Sequence, residues 1–167
     1  MSKHKLLLFY SWFIKTITAI LPDQPGIMRF RGWLYSFGLS SCGKDFQVSS
    51  SSVIRNLENV TVGQNVYLAP NVILNAIGSI LLDDEVMVGF NSVIVSGNHT
   101  RINGSFRFGK SKTSPIQIYK GVWVAANCTI TAGTRIGEGT LIASNSSVSG
   151  VFLDCKMIGG VPAKKIK

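Results

Sequence analysis

Aliphatic residues recur at every sixth position through the carboxyl-terminal part of this sequence. Six consecutive six-residue units run from Ile118 to Leu153. Their first residues are Ile118, Val124, Ile130, Ile136, Ile142 and Val148. A period of six fits neither an amphipathic helix nor a long alternating strand, whereas very short strands joined by regular corners have this period. The pattern predicts a parallel β-helix of hexapeptide repeats, and therefore a mainly β fold.

The same register occurs earlier in the chain, with one slip of two residues. These units begin at Val62, Leu68 and Leu74, and then at Leu82, Val88 and Ile94. In nine of the twelve units the fourth residue is Gly or Asn, which accept the positive φ of a tight corner at low cost. The nine are Asn65, Asn71, Asn91, Gly97, Gly121, Asn127, Gly133, Gly139 and Asn145. The corners at Ile77, Glu85 and Val151 follow no rule that the sequence reveals.

The fifth residues of the units are mostly small or slim, as a narrow interior shared by stacked coils requires. They include Val66, Val72, Ser92, Val122, Cys128, Thr134, Thr140 and Ser146. Cys128 is therefore predicted to be a buried free thiol. The three cysteines show no CxxC spacing, so neither a disulfide framework nor a zinc site is expected. This cysteine usage favours a reducing, cytosolic setting.

Two segments lie outside the repeat and set the expected domain organisation. Residues 1–45 are predicted to form a helical segment, and residues 46–167 the β-helix with a basic carboxyl-terminal tail. The β-helix is interrupted once, by a loop at residues 98–115 that is rich in Arg, Lys, Gly and Phe. A loop of this length inside a regular solenoid is more often functional than decorative.

The amino-terminal segment is strongly apolar. Its apolar run at residues 6–21 is interrupted by Lys15, which makes it too short for a comfortable transmembrane span. A second short helix is predicted at Ile27–Phe37, with Asp23 as its cap. Two interpretations of the first helix stay open. It packs on the end of the β-helix or on a neighbouring subunit, or residues 1–22 form a peripheral contact with an anionic membrane.

The net charge of +9 arises from 17 basic and 8 acidic residues. A basic excess suits nucleic acid, an anionic membrane or a phosphorylated ligand. Nucleic acid is not expected as a partner, because the repeat region is nearly uncharged and contains no groove-reading motif. A metal site built from three histidines is excluded, because the chain has only two. No metal is expected.

His99 stands where the repeats give way to the inserted loop. A neutral imidazole at this place can act as a general base toward an attacking hydroxyl. From position alone, a loop-edge histidine without a chemical task is an equal alternative. An orienting partner is not evident. Asp83, Asp84 and Glu85 lie roughly one coil away, and the two-residue slip leaves their register open.

Three motifs resemble those of the hexapeptide-repeat acetyltransferases and occur in the same order. They are VWVAAN at residues 122–127, IGEGTLIA at 136–143 and GVPAK at 160–164. The resemblance covers roughly residues 45–167, and the branch it fits is that of the sugar and polysaccharide O-acetyltransferases. It implies a left-handed parallel β-helix and a homotrimer with acetyl-CoA bound in active sites between adjacent subunits.

The resemblance also implies roles for individual residues. His99 matches the catalytic base of the family. The residues that match cofactor-binding positions are Trp123, Ala126, Ser144, Ser149, Lys164 and Lys167. For Trp123 a structural role in covering a coil is an equal alternative, and the two lysines also fit a solvated basic tail. Asn98, Arg101 and Arg107 of the inserted loop are expected to bind the acceptor.

Two departures from the family pattern bear on the acceptor. Ala125 replaces the usual Gly of the first motif, and Ala69 stands where maltose- and galactoside-type members have an acceptor-contacting Asn. A small disaccharide acceptor is therefore disfavoured. We expect an acetyl-CoA-dependent O-acetyltransferase that acts on a sugar hydroxyl of a surface polysaccharide (capsule, O-antigen or exopolysaccharide) or its precursor. The expected location is the cytoplasm, at the inner face of the cytoplasmic membrane. A serine or antibiotic O-acetyltransferase of the same fold and a non-catalytic β-helix scaffold are the alternatives.

Overall fold

A computed structural model describes residues 2–167 of the chain. Two helices, α1 (Lys3–Thr18) and α2 (Pro25–Ser36), precede a solenoid of short strands. The strands stack into three faces, and neighbours within a face are parallel except for the final pair. An antiparallel hairpin is inserted between two coils. This architecture is the left-handed parallel β-helix with an inserted loop that the repeats and the family resemblance predict.

The strands are given face by face. The first face contains β1 (Ser41–Cys42), β4 (Val60–Val62), β7 (Ile80–Leu82), β12 (Ile116–Ile118), β15 (Arg135–Ile136) and β18 (Val151–Phe152). The second contains β2 (Gln47–Val48), β5 (Tyr67–Leu68), β8 (Met87–Val88), β13 (Trp123–Val124), β16 (Leu141–Ile142), β19 (Met157–Gly160) and β20 (Ala163–Lys165). The third contains β3 (Val53–Arg55), β6 (Ile73–Asn75), β9 (Val93–Val95), β14 (Thr129–Thr131) and β17 (Ser147–Val148). The hairpin consists of β10 (Gly97–His99) and β11 (Ser111–Thr113), and a 3₁₀ turn lies at Leu57–Asn59.

The length of a coil changes along the chain. In the carboxyl-terminal part Val124 pairs with Ile142, so one coil takes 18 residues. In the earlier part Leu68 pairs with Val88, so one coil takes 20 residues. The two additional residues lie between the third and first faces, after β6, where the sequence shows its slip.

The interior contains the residues that the repeat predicts. All twelve aliphatic residues that begin a unit are at most 2% exposed. The hydroxyl groups of the interior are hydrogen bonded, as buried polar groups must be. Ser92 donates to the Ala125 carbonyl at 2.9 Å, and Thr140 donates to the Cys155 carbonyl at 2.7 Å. The narrow core is therefore apolar along its axis and has satisfied hydroxyls near its corners.

Eight of the nine predicted Gly and Asn corners have positive φ, between 56° and 86°. The prediction is wrong at Gly97, because this residue begins hairpin strand β10 instead of turning a corner. Glu85 makes an ordinary corner with φ of 62°, and its carboxylate lies 3.4 Å from the Lys120 ammonium. Val151 is not a corner residue because it lies in β18, and Gly150 before it has φ of 113°.

The two helices cover the first coil. Ile14 of α1 and Tyr35 of α2 are 1% exposed and belong to the same apolar core as the strands. The Ser11 hydroxyl donates to the carbonyl of Ile54 in β3, which attaches α1 to the third face. Within residues 2–167, no helix combines the length and the apolar content needed to cross a bilayer.

The second helix begins two residues before the predicted start, at Pro25, which suits a first helical turn. The prediction that Asp23 caps it is wrong. Gln24 precedes the helix and makes no side-chain capping bond. The Asp23 carboxylate instead accepts hydrogen bonds from the Arg31 guanidinium at 3.1 Å and from the Ser50 N–H at 2.8 Å. It therefore joins α2 to the first coil.

Candidate active site

A groove of about 460 Å³ crosses the coils along the second face. It is lined by Tyr67, Ala69, Met87, Val88, Gly89, Phe90, Trp123, Ala125, Ala126 and Ser144. Its outer wall arises from the parallel ladder, because Tyr67, Met87 and Trp123 are direct partners on β5, β8 and β13. A larger cavity of about 790 Å³ between α2 and the first coil contains none of the predicted site residues.

The floor of the groove is made of small residues. Ala69, Gly89 and Ala125 each follow a strand of the second face, in successive coils. A side chain does not fit at Gly89, because an added Cβ would lie 2.9 Å from the Val124 oxygen and from the Ala125 carbonyl carbon. The coils therefore approach closely here, and the small residues leave room for a ligand above them.

The wall of the groove presents large apolar side chains to solvent. Met87 is 47% exposed, Trp123 is 50% exposed and Phe90 is 54% exposed. An exposed apolar patch in a concave place marks a binding site more often than a packing defect. This wall suits the apolar portion of an extended ligand that lies along the solenoid.

Two backbone amides at the groove are free to bind a ligand. The N–H groups of Ala126 and Ser144 donate no hydrogen bond to another residue within 2–167. The amides just before them, at Ala125 and Ala143, donate to the next coil at 3.0 and 2.9 Å. Because Ala126 and Ser144 follow strands that are one coil apart, their N–H groups form two donors along the same line.

The structure brings together three of the six predicted cofactor-binding residues. Trp123, Ala126 and Ser144 all line the groove. The other three do not line it within one chain. Lys164 lies in β20 on the same face, separated from β16 by β19. Ser149 is exposed after β17 on the third face, and Lys167 closes a tail whose last carbonyl accepts the Lys156 N–H at 2.9 Å.

The predicted catalytic base is on the hairpin instead of in the groove. His99 is exposed at the end of β10 and is aligned with Ser111 of β11. Asn98, its neighbour, is aligned with Lys112. The hairpin follows third-face strand β9, whereas the groove belongs to the second face. A single chain therefore contains the base and the groove as separate parts.

The three acidic residues that the sequence left open as partners of His99 have other contacts. Asp84 accepts the Gln64 N–H at 2.8 Å, and Asp83 accepts the Asp84 N–H at the same distance. Glu85 pairs with a lysine at its own corner. All three lie between the first and second faces, whereas His99 follows the third. Within residues 2–167 none of them contacts the imidazole.

The inserted loop combines positive charge with exposed aromatic rings. Phe106 is 59% exposed and Phe108 is 78% exposed. The Arg107 guanidinium carbon lies 5.7 Å from the centre of the Phe108 ring, within the range of a cation–π contact. Arg101 is exposed on the same loop. The loop thus offers flat apolar surfaces and guanidinium donors beside His99.

Sequence reasoning missed three residues of the groove wall: Tyr67, Met87 and Phe90. A signal for Phe90 was present, because it occupies the third position of its unit, as Ala126 and Ser144 do in theirs. Tyr67 and Met87 directly precede the first residue of a unit, as Trp123 does. Position within the unit therefore identifies the wall once one member is known.

The cysteines are not part of this site. Cys128 is a buried free thiol, as predicted, and its Sγ lies 3.2 Å from the Ala143 carbonyl oxygen to which it donates. Burial raises the pKa of this thiol, although the Ser146 and Asn145 amides act in the opposite direction. Within residues 2–167, no group of three or more His, Cys, Asp or Glu side chains could hold a metal ion.

Comparisons with known proteins agree with the fold. No family model matches the chain. The Escherichia coli K12 protein WbbJ, named for O-acetyl transfer in lipopolysaccharide biosynthesis, is 28% identical over 172 residues, which cover 90% of this chain and 83% of WbbJ. A maltose O-acetyltransferase from Clostridium difficile 630 superposes with a TM-score of 0.81 at 25% identity, over 98% of this chain and 88% of its own.

A galactoside acetyltransferase solved in complex with coenzyme A has the same fold. Its TM-score is 0.86 at 18% identity, and the superposition covers 100% of this chain and 82% of that chain. The shared architecture includes the stacked coils that form the groove.

Proposed function

We propose that this chain, which resembles the hexapeptide-repeat acetyltransferases, acetylates a sugar hydroxyl of a surface polysaccharide or of its precursor. The enzyme is an O-acetyltransferase that takes the acetyl group from acetyl-CoA. The observation that carries the acetyl-CoA assignment is the groove lined by Trp123, Ala126 and Ser144. The relative WbbJ, named for lipopolysaccharide biosynthesis, supports a glycan acceptor.

The groove suits the extended arm of acetyl-CoA. The free N–H groups of Ala126 and Ser144 would donate to carbonyl oxygens of the pantetheine arm. The apolar wall at Met87, Phe90 and Trp123 would cover its methylene groups. Lys164 lies farther along the same face, where its ammonium would attract the nucleotide phosphates. Ser149, which lies on the third face, would reach the ligand from the neighbouring subunit, and Lys167 would contact its outer end.

His99 would be the general base. Its imidazole nitrogen would take the proton of the sugar hydroxyl, and the oxygen would attack the thioester carbonyl carbon. The carbon–sulfur bond then breaks, and CoA leaves as its thiol after protonation. Because His99 and the groove lie on different faces of one chain, the reaction needs a second subunit. We propose a homotrimer in which the hairpin of one subunit reaches the groove of its neighbour.

The inserted loop would bind the acceptor. Phe106 and Phe108 would stack on sugar rings, and Arg101 and Arg107 would bind carboxylate or phosphate groups of an acidic or lipid-linked glycan. Asn98 would contact the hydroxyl beside the base. Ala69, in the groove floor, supplies no side-chain donor. This absence disfavours a small neutral disaccharide.

Acetyl-CoA turnover, measured as free-thiol release with a panel of glycan acceptors, tests the proposal. His99→Ala should lower kcat/KM by about a hundredfold to ten-thousandfold, the usual contribution of a general base. The matched control is His4→Ala, which removes the other histidine, an α1 residue paired with Glu58 at 2.6 Å. Equal activity in the two variants would remove the base assignment.

Coenzyme A binding, measured by calorimetry, separates an enzyme from a scaffold. We expect His99→Ala to bind CoA as the wild type does, because its imidazole would act on the acceptor hydroxyl and would not contact the pantetheine arm or the nucleotide. Trp123→Ala should weaken binding about tenfold if this ring covers the ligand. Leu141→Ala is the control, because Leu141 is the next residue of the same ladder and does not line the groove. Failure of the wild type to bind CoA or turn over acetyl-CoA would favour the scaffold.

The acceptor role of the loop requires its own test. Arg107→Ala with Lys110→Ala should raise the acceptor KM and leave the acetyl-CoA KM unchanged. Arg135→Ala removes an exposed arginine from β15 and serves as the control. An unchanged acceptor KM in the loop variant would assign the acceptor to another surface. If serine or an antibiotic is turned over and glycans are not, the alternative acceptors of this fold would replace the sugar.

A further inference from the structure

Helix α1 exposes a stripe of apolar side chains in addition to the side that packs on the solenoid. The side packed on the solenoid includes Ser11 and Thr18, which are 7% and 2% exposed. The opposite side carries Leu6, Phe9, Phe13 and Ile17, at spacings of three and four residues, so they form one stripe. Their exposed fractions lie between 45% and 56%. An apolar outer stripe of this kind requires an apolar environment outside the chain.

The second helix extends the same surface. Phe30 and Trp33 lie 5.9 Å apart, and Trp33 and Phe37 lie 4.9 Å apart, measured between ring centres. Phe37 also lines a cleft of about 400 Å³ together with Phe9 and Phe13 of α1. The two aromatic groups therefore form one continuous surface. We call it the aromatic cap, and it consists of Leu6, Phe9, Trp12, Phe13, Ile17, Phe30, Trp33 and Phe37.

The charged side chains of α1 are all of one sign. Lys3, Lys5 and Lys15 belong to α1, whereas Arg29 of α2 pairs with Asp45 at 3.3 Å. Asp23 is the only acidic residue among residues 1–40, and it is bound to the buried guanidinium of Arg31. The surface therefore combines large aromatic side chains with three lysines on α1 that form no ion pair within residues 2–167.

We propose that the aromatic cap binds the surface of an anionic phospholipid bilayer. Tryptophan and phenylalanine side chains would enter the boundary between headgroups and acyl chains, and the lysines would contact lipid phosphates. Contact would be peripheral, because no helix within residues 2–167 is able to span the bilayer. This arrangement would hold the active site near lipid-linked glycan precursors.

A bilayer fits this surface better than a second copy of the chain does. An isologous contact between two aromatic caps would place the lysines of one copy against those of the other, with no carboxylate in either α1 to oppose them. Lipid phosphates supply the missing negative charge. The trimer of the proposed function would add to the effect, because several caps on one particle would bind a membrane cooperatively.

Vesicle co-sedimentation of the 167-residue chain tests the proposal. One set of vesicles contains phosphatidylethanolamine and phosphatidylglycerol, and the other contains phosphatidylcholine alone. We expect binding to the anionic vesicles that weakens as salt is added. Phe9→Ser combined with Trp33→Ser should weaken binding at least about tenfold, because it removes one ring from each helix.

The matched control is Val151→Ser combined with Leu153→Ser. These residues are 58% and 41% exposed and lie in the last coil, so the variant removes exposed apolar surface at the other end of the solenoid. Its vesicle affinity should stay within about twofold of the wild type. Circular dichroism and CoA affinity, measured on each variant, establish that the fold and the groove are intact.

Three results would overturn the proposal. The first is no binding of the wild type to anionic vesicles, and the second is equal binding of the wild type and the Phe9→Ser, Trp33→Ser variant. The third is an absence of vesicle binding together with a smaller particle mass for that variant in sedimentation velocity, which would assign the cap to a contact between copies. Each of these results is independent of acetyl transfer, so the proposed function is tested separately.

Discussion

Arg31 holds the two helices on the solenoid, and its replacement should be costly. The side chain is 1% exposed, although it carries a full positive charge. Its guanidinium donates hydrogen bonds to the Asp23 carboxylate, to the Thr18 hydroxyl and to the carbonyl oxygens of Thr18, Leu21 and Val48. These acceptors belong to the end of α1, the segment between the helices and strand β2. One side chain therefore joins three parts of the chain.

The substitution Arg31→Met keeps most of the volume and removes every one of these donors. Breaking a buried pair by removing one partner costs about 3–5 kcal/mol. The lower end applies here, because the Asp23 side chain is 27% exposed and keeps its bond from the Ser50 N–H. We therefore expect a loss of about 3 kcal/mol in the free energy of unfolding. This loss corresponds to a decrease of roughly 6–12 °C in Tm for a chain of this size.

Arg29→Met is the matched control from the same helix. Arg29 also pairs with an aspartate, Asp45, at 3.3 Å, but the two side chains are 49% and 54% exposed. Such a pair contributes about 0–1 kcal/mol. Urea unfolding followed by circular dichroism, at one protein concentration, measures both variants. Equal losses in the two variants, or a loss below about 1 kcal/mol for Arg31→Met, would refute the assignment of Arg31 as the joining residue.

Three further predictions concern the groove, a corner and the joint between the helices. Gly89→Ala should lower the free energy of unfolding by about 1–3 kcal/mol and weaken CoA binding, because its Cβ would lie 2.9 Å from the Ala125 carbonyl carbon. A variant as stable as the wild type, with unchanged CoA affinity, would contradict this close approach between coils. Glu85→Gly should be more stable in urea than Glu85→Ala by about 1 kcal/mol, because both lose the same ion pair and only Gly relieves the positive φ of 62°. Burial raises the pKa of Asp23, but hydrogen bonds from Ser49 and Ser50 and the charge of Arg31 outweigh it and hold that pKa below its usual value. Its contribution to the free energy of unfolding is therefore complete above about pH 4 and is lost as pH falls further. The urea midpoints of the wild type and of Asp23→Asn should accordingly converge in acid and stay apart at neutral pH.

The fold could be predicted well from sequence because each corner is a local event. Asn127 and Asn145 adopt positive φ since Asn tolerates that conformation, whatever surrounds it. Gly97 shows the limit of this reasoning. Its residue type allows a corner, but pairing with Thr113 across the hairpin makes it a strand residue. A contact between residues 16 positions apart thus decided its conformation.

Asp23 illustrates the same limit at the helices. Its position before α2 suggests a cap, and caps are recognised from neighbouring residues alone. In the folded chain a buried guanidinium and the first coil compete for the same carboxylate and bind it. A charged partner from another element outweighs a local hydrogen bond, and no local pattern reveals where that partner will lie.

The sequence by itself determined the repeat, the inward aliphatic residues and most corners. Each of these depends on spacing along the chain or on the preference of one residue. Only the tertiary structure decided which outward side chains form one groove. Tyr67, Met87 and Trp123 become neighbours because the coils close after 20 residues, and after 36 where the hairpin is inserted. It also decided that the aromatic side of α1 faces outward, because Ser11 and Ile14 have partners on the first coil and Phe9 and Phe13 have none there. Coil closure and helix docking depend on many contacts between residues that are distant in sequence. A local sequence pattern therefore does not predict them.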